Sequence, residues 1–185
     1  MTEDPLSDTP PSPHHGADWP PSPPARVASD AGFRIHIVDD REKFANAERF
    51  PAADQIVVED IAGWLHRAEL PPSAFVVVVT RGHTHDFDAL CALAARDLRY
   101  LGLIGSRAKV ARVFDALHAE GMPPECLARV HAPIGLDIGA ITPQEIAVSI
   151  LAELIAVKHG KIASGSADEL SMKWTPPATV AKPVV

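Results

Sequence analysis

Apolar runs and helically spaced apolar residues alternate through the middle of the chain. Phe33 to Val38 and Gln55 to Val58 read as strands, and Ile61, Trp64, Leu65 and Ala68 recur at the spacing of one helix face. Phe75-Val76-Val77-Val78-Val79 is an unbroken, mostly β-branched run, the pattern of a strand covered on both faces of a parallel sheet. Phe87, Leu90, Cys91, Ala94 and Leu98 make the next helical stripe, and Tyr100 to Ile104 the next strand. Val110, Val113, Phe114 and Leu117 form a further stripe, which Gly121 closes as a C-terminal cap. A short strand near Arg129 to Ala132 leads to a long helix from Thr142 to about His159. Its start, Thr142-Pro143-Gln144-Glu145, is a capping box with proline at the first helical position. Strands alternating with helices predict an α/β layered fold around a parallel sheet.

Residues 1 to about 25 hold Pro5, Pro10, Pro11, Pro13, Pro20, Pro21, Pro23 and Pro24, whose fixed φ and missing N–H donors oppose helix and central strand alike. After Ser164 the chain becomes small and polar and then carries Pro176-Pro177 and Pro183. The pattern predicts a disordered tail over 1–26, one domain over 27–162 and a flexible tail over 163–185.

With 185 residues, 46% of them hydrophobic, there is material for one domain with a buried core. A formal charge of −7 and a pI near 5.7 exclude the broad basic surface of a nucleic-acid binder, though a local basic cluster can still hold a small anion. No run approaches the roughly 18 apolar residues of a membrane span. The acidic, proline-rich start lacks the apolar core of a signal peptide. These features predict a cytoplasmic protein with neither nucleic acid nor membrane as partner. Two cysteines give no disulfide framework and no paired thiolates for a metal. Cys91, within Leu90-Cys91-Ala92-Leu93, reads as a buried structural thiol, and Cys126, after a Pro-Pro turn, as the more exposed one.

Ligands of a doubly wound sheet bind outside the carboxyl ends of its strands, so the residues after each strand are the candidates. The first strand ends in Val38-Asp39-Asp40-Arg41. An acid there can bond ribose hydroxyls, but the GxGxxG turn that would cradle a pyrophosphate is absent from the chain. Asp39 and Asp40 as loop caps paired with Arg41 account for the pattern equally well, with Asn46 and Arg49 ordering the loop that follows. The third strand leads into Thr80-Arg81-Gly82-His83-Thr84-His85-Asp86. Gly82 is read as a tight turn that points Arg81 and His83 into the crevice, with Asp86 near a helix N-terminus. His83, His85, Asp86 and Asp88 are metal-capable, but no third ligand has diagnostic spacing, and no metal site is assigned.

The fourth strand leads into Gly102-Leu103-Ile104-Gly105-Ser106-Arg107-Ala108-Lys109, followed by Arg112. Gly102 and Gly105 permit close backbone approach, and Ser106 is a natural N-cap. Arg107, Lys109 and Arg112 fall in the first two turns, where the macrodipole already supplies about half a positive charge. Cations there are mildly unfavourable until an anion binds among them, which predicts a phosphate site; a solvated basic face is the alternative. The last crossing, His131 to Ala140, is a mostly apolar loop in which Gly135 helps to shape a wall and Asp137 is the one polar handle. In the long helix Glu145, Ser149 and Glu153 recur every four residues and read most simply as a solvent-facing stripe, with a catalytic role for Glu153 as the remote alternative. Ile146, Ile150, Leu151, Leu154 and Ile155 cover most of the rest, so the helix is buried in the core or against a partner protomer.

Four motifs, IVDDRxxFANxERFP at 37–51, TRGHxHD at 80–86, YLGLIGSRxK at 100–109 and HAPIGLDIGAxTPxEIAVSILAE at 131–153, occur here in the order and approximate spacing of one family. Over roughly 27–160 the chain resembles the C-terminal Rossmann-type domain of the XdhC/CoxI family. The resemblance implies a Rossmann-like three-layer fold and a maturation factor. Such a factor binds molybdenum cofactor (molybdopterin) and assists its sulfuration or insertion into xanthine dehydrogenase-like molybdoenzymes, a cofactor-binding chaperone rather than an enzyme. The implied partner is the molybdenum hydroxylase apoenzyme; a cysteine desulfurase and a homodimer are further candidates. With the residue reading, it places cofactor binding on Arg81, Gly82, His83, Gly102, Gly105, Ser106, Arg107, Lys109, Gly135 and Asp137, with Asp39 and Asp40; no residue is assigned a catalytic role.

The sequence departs from the family pattern in two places. It carries no cysteine-motif domain, and no strand or glycine-rich turn precedes the strand ending in Val38-Asp39-Asp40-Arg41; Ala25 to Ala31 matches the end of the helix that usually follows that turn. The absent strand is normally central, so an open slot in the sheet is expected. A nucleotide-dependent enzyme, either an NAD(P) oxidoreductase or nucleotidyltransferase-like, is one alternative, disfavoured by the absent turn. A truncated, non-catalytic interaction module is the other.

Overall fold

Parallel strands and helices alternate through the residues described by the computed structural model, 23–80 and 82–162. Strands β1 (His36–Asp39) and β2 (Gln55–Val58) form one parallel pair. Strands β3 (Phe75–Val78), β4 (Tyr100–Leu103) and β5 (Val130–His131) form a second parallel sheet in the order β3-β4-β5. The helices are α1 (Pro23–Asp30), α2 (Ile61–Arg67), α3 (His83–Leu93), α4 (Arg107–Ala119), α5 (Pro124–Leu127) and α6 (Pro143–Lys158). This is the expected α/β, Rossmann-like arrangement.

The expected slot is present as a break between the sheets: among the described residues no ladder joins β1 to β3. Side chains bridge the break instead. Phe33, just before β1, lies edge-on to Phe75 at the start of β3, with ring centroids 5.3 Å apart, and α1 packs along α6. The break also corrects the reading of β3 as covered on both faces. β3 is the edge of its sheet, Phe75 to Val77 are only half-buried, and Val79 beyond it is 57% exposed. The central strand β4 is buried along its whole length, as are both residues of β5.

The core is built on the two faces of β4. Leu101 and Leu103 pack with Leu90 and Leu93 of α3 and with Val110, Val113, Phe114 and Leu117 of α4. On the other face Tyr100 packs with Ile134, Ile150, Leu154 and Val157. The α4 stripe is thus the one that its spacing predicts. Its end is a Schellman cap: Gly121 adopts φ +89°, its N–H bonds the His118 carbonyl, and the Met122 N–H bonds that of Leu117.

Three elements differ from expectation. Helix α3 begins at His83, not near Phe87, and stops at Leu93, so Leu98 reaches the core from a loop. Cys91 lies on the outer side of α3 and is exposed, because Leu90 and Leu93 already fill the inward positions around it. Partial burial, with Asp88 and Glu120 nearby, pushes its thiol above the usual cysteine value. Helix α1 starts at Pro23, inside the proline-rich stretch; prolines in a first turn forgo only N–H groups that have no partner within the helix.

Helix α6 opens with the predicted capping box, Thr142 Oγ1 accepting from the Glu145 N–H and the Glu145 carboxylate accepting from the Thr142 N–H. The stripe of Glu145, Ser149 and Glu153 does not face solvent as a unit. Glu145 is exposed, but Ser149 and Glu153 are 2% and 0% exposed.

Candidate functional site

The carboxyl ends of β3 and β4 converge on a Thr–Asp–Lys cluster. Thr80 leaves β3 and donates from Oγ1 to Asp86 Oδ1 at 2.5 Å; Asp86, in the first turns of α3, is completely buried. Lys109 of α4 reaches back so that Nζ lies 2.6 Å from Asp86 Oδ2 and 3.3 Å from the Ile104 carbonyl oxygen. Asp86 Oδ2 has no directed hydrogen bond, so its contact with Lys109 is a charge contact. The lysine stem passes over Gly105, where an added Cβ would come 2.8 Å from Lys109 Cδ. A side chain at position 105 would have to push the Lys109 stem aside.

Above this cluster α4 begins. Ser106 is its N-cap, and the hydroxyl accepts from the Lys109 N–H at 3.2 Å. Arg107 and Arg112 are exposed, whereas the Lys109 side chain is only 20% exposed. The three cations of the expected anion site thus divide. Lys109 is neutralised from below by Asp86, and the outward positive charge comes from Arg107, Arg112 and the helix start.

The other predicted site residues are dispersed. Arg81 and the side chain of His83 lie outside the described residues. Gly82 has φ −172°, extended backbone open to any residue, and nothing lies within 4 Å of a Cβ there; the tight turn read from it does not form. Gly102 is buried in β4, where a Cβ would come 2.6 Å from Ile134 Cδ1 and 2.7 Å from the Tyr100 ring, so its closeness serves packing. Gly135 adopts φ +103° and faces α6: its N–H donates to Glu153 Oε2 at 2.7 Å, and a Cβ would collide with Ser149 Oγ. Asp137 is exposed.

Asp39 and Asp40 sit at the end of β1, in the other sheet. Asp39 receives both Nε and Nη2 of Arg41, at 2.9 and 3.0 Å, as well as the Arg41 N–H. Asp40 is 3.2 Å from the same Nε, and the guanidinium carbon stacks 3.8 Å from the Phe44 ring centroid. Both carboxylates are therefore tied to Arg41, as the loop-capping reading expects. Asn46 orders the next turn, donating to the Glu42 carbonyl and accepting from the Arg49 N–H.

The residue pattern missed a second polar cluster, wholly buried. Tyr100 OH donates to Glu153 Oε2 at 2.6 Å, and His131 Nδ1 lies 3.1 Å from Glu153 Oε1. With the Gly135 N–H this carboxylate joins β4, β5, the loop after β5, and α6. Burial alone would raise the Glu153 carboxyl, but the hydrogen bonds from His131, Tyr100 and Gly135 outweigh it and hold the group below the usual glutamate range. The same burial, with Glu153 alongside, pushes the Tyr100 hydroxyl well above its ordinary value. The signal was partly available: at about 100° per residue Val157 and Ile150 fall within about 60° of Glu153 on the helical wheel, which places it at the margin of the inward face.

The family described as the XdhC Rossmann domain matches residues 16–154. The chain is similar to the uncharacterized protein YqeB of Escherichia coli K12, at 37% identity over 136 residues, which cover 73% of this chain and 25% of that protein. It is also similar to a Bacillus subtilis protein described as a probable subunit of xanthine dehydrogenase, at 34% identity over 136 residues, covering 74% of this chain and 39% of that one. Among solved structures, a crystal structure described as a xanthine dehydrogenase from Bacillus halodurans superposes with a TM-score of 0.66 at 32% identity, covering 78% of this chain and 41% of that one. The chain thus spans between a quarter and about two-fifths of the length of these relatives.

Proposed function

The chain belongs to the XdhC Rossmann-domain family and is similar to proteins described as a xanthine dehydrogenase or a probable subunit of one; we propose that it has an accessory role toward such an enzyme and holds molybdenum cofactor at the start of α4. There it assists the sulfuration of the cofactor or its insertion into a xanthine dehydrogenase-type apoenzyme. The observation that carries the reading is the division of charge at the β4–α4 turn. Asp86 neutralises Lys109 from beneath, while Arg107, with the capped helix start, presents positive charge outward. A phosphate group suits such a start, since the N–H groups and the macrodipole both favour an anion.

The residues fit the phosphate end of the cofactor. Arg107 and the backbone at Ser106 would hold it, Arg112 would add charge one turn on, and Lys109 would fix the turn's shape rather than act as a first contact. When bound, the cofactor supplies the redox centre that the target dehydrogenase uses; this domain supplies binding and orientation. Equilibrium titration of the protein with molybdopterin cofactor tests the reading, with NAD(P) and CTP as separate arms. Arg107→Ala, combined with Arg112→Ala, is expected to weaken cofactor binding about tenfold or more, the scale of one lost charge-assisted contact, while leaving the melting temperature unchanged. Equal affinity in the double variant would remove the proposed site. Tight binding of NAD(P) or CTP but not of the cofactor would favour the nucleotide-dependent alternative.

A further inference from the structure

Glu145, Ser149 and Glu153, which recur along one face of α6, share a partner in the fold: the loop that joins β5 to α6. Glu153 Oε2 accepts from the Gly135 N–H at 2.7 Å. Ser149, one turn earlier, donates from Oγ to the Leu136 carbonyl oxygen at 2.6 Å, and its own carbonyl accepts from the Leu136 N–H at 3.3 Å. Glu145, a further turn earlier, accepts from the N–H groups of Ile141 and Thr142, both at 2.8 Å. These bonds, that from Thr142 foremost, hold the Glu145 carboxyl below the usual glutamate range. A capping box accounts for the bond to Thr142 alone; the bond to Ile141 ties down the loop before the helix.

Between these anchors lies the span Asp137 to Ala140, in which Asp137, Ile138 and Gly139 are exposed. The near end of the loop is also tied to β4, because the Ile134 N–H donates to the Leu103 carbonyl at 3.1 Å. Strands β4 and β5 are parallel neighbours, so the span leaves the sheet at the same end as the turn at Gly105 and Ser106 that opens α4. Burying Ser149 and Glu153 costs desolvation that apolar side chains would avoid. Apolar side chains at these positions could pack the helix but could not hold the loop. We infer that Glu145, Ser149 and Glu153 are positioning residues for the ligand crevice, fixing the span Asp137 to Ala140 as a preformed wall against the part of the ligand beyond its phosphate. The inference rests on the anion site proposed at α4. A wall fixed in advance has little freedom left to lose when the ligand binds, and affinity gains accordingly.

Two readouts on the full chain test this. Amide hydrogen exchange reads the loop without any ligand. Ser149→Ala is expected to speed exchange at Leu136, and Glu145→Ala at Ile141, by more than about tenfold; Glu145→Gln, which keeps the acceptor, should restore Ile141. Titration with molybdopterin cofactor and with inorganic phosphate reads the crevice. Ser149→Ala is expected to weaken cofactor binding about fivefold and to leave phosphate, which needs only the start of α4, unchanged. Tyr100→Phe controls for stability alone, since its hydroxyl bonds Glu153 and not the loop, and its cofactor affinity should equal the parent's. Parent-like exchange at Leu136 and Ile141 in the alanine variants overturns the inference. So does an equal acceleration at Leu101 and Leu103 of β4, because a loss of global stability would then account for it. Cofactor affinity unmoved by Ser149→Ala but lowered by the Arg107 and Arg112 double variant overturns this inference alone. A parent chain that binds neither probe overturns the reading at α4 as well.

Discussion

The ammonium of Lys109 lies 2.6 Å from the carboxylate of Asp86, which has no exposed surface. This pair joins α3 to α4 beneath the turn where β4 ends, and it holds both residues of the crevice in place. Removing one partner of a buried ion pair strands the other charge away from water.

Lys109→Ala is therefore expected to destabilise the fold by roughly 3 kcal/mol, since the Asp86 carboxylate is left with only Thr80. Asp86→Asn should cost less, about 1 kcal/mol, because the amide can still bond Thr80 and the freed lysine can reach solvent. Urea denaturation of both variants measures the difference. Comparable stability of Lys109→Ala and the parent would mean that the pair contributes nothing.

Acid stability should depend on Glu153. Its folded-state value lies below that of an exposed glutamate, so the stabilisation is complete above the unfolded value, near about pH 4.3, and is lost as the pH falls further through the folded value. Glu153→Gln should flatten that part of the profile, while lowering stability at neutral pH by roughly 1–3 kcal/mol through imperfect satisfaction of the buried donors. Denaturation midpoints from pH 3 to pH 7 decide it; parallel profiles for the two proteins would exclude the linkage.

Tyr100→Phe removes the hydroxyl and leaves Glu153 with the Gly135 and His131 contacts. We expect a loss of about 1–2 kcal/mol in thermal or chemical unfolding, with the aromatic stack against Phe75 retained. A loss no greater than a surface substitution would show that the hydroxyl is dispensable.

Two glycines offer an internal control. Gly135→Ala meets both a positive φ and the Ser149 hydroxyl, and should cost roughly 2–4 kcal/mol. Gly82→Ala meets neither; the reduced freedom of the unfolded chain is offset by alanine's poor fit at the N-cap of α3, so the change should stay within about 0.5 kcal/mol. Differential scanning calorimetry separates the two, and similar melting temperatures would contradict this account of Gly135.

Local chemistry made most elements legible. The capping box fixed the start of α6, the Schellman glycine the end of α4, and the β-branched run the position of β3. The candidate site was legible only in part. Ser106, Arg107 and Lys109 were correctly placed at a helix start, because an N-cap serine and the following turn are read from adjacent residues. That Lys109 points inward, to a carboxylate 23 positions earlier, depends on how α3 and α4 pack, which local spacing does not contain.

The amino-acid sequence by itself determined the order of strands and helices and their caps. These follow from interactions within a few residues of one another. Only the tertiary structure decided which faces those elements turn to each other. It buried Glu153 against Tyr100 and His131, drew Lys109 down onto Asp86, exposed Cys91 and left Val148 and Ile155 of α6 on the surface. A side chain's surroundings are set by segments far away in the chain, and the energy of a buried charge depends on those surroundings more than on its neighbours in sequence.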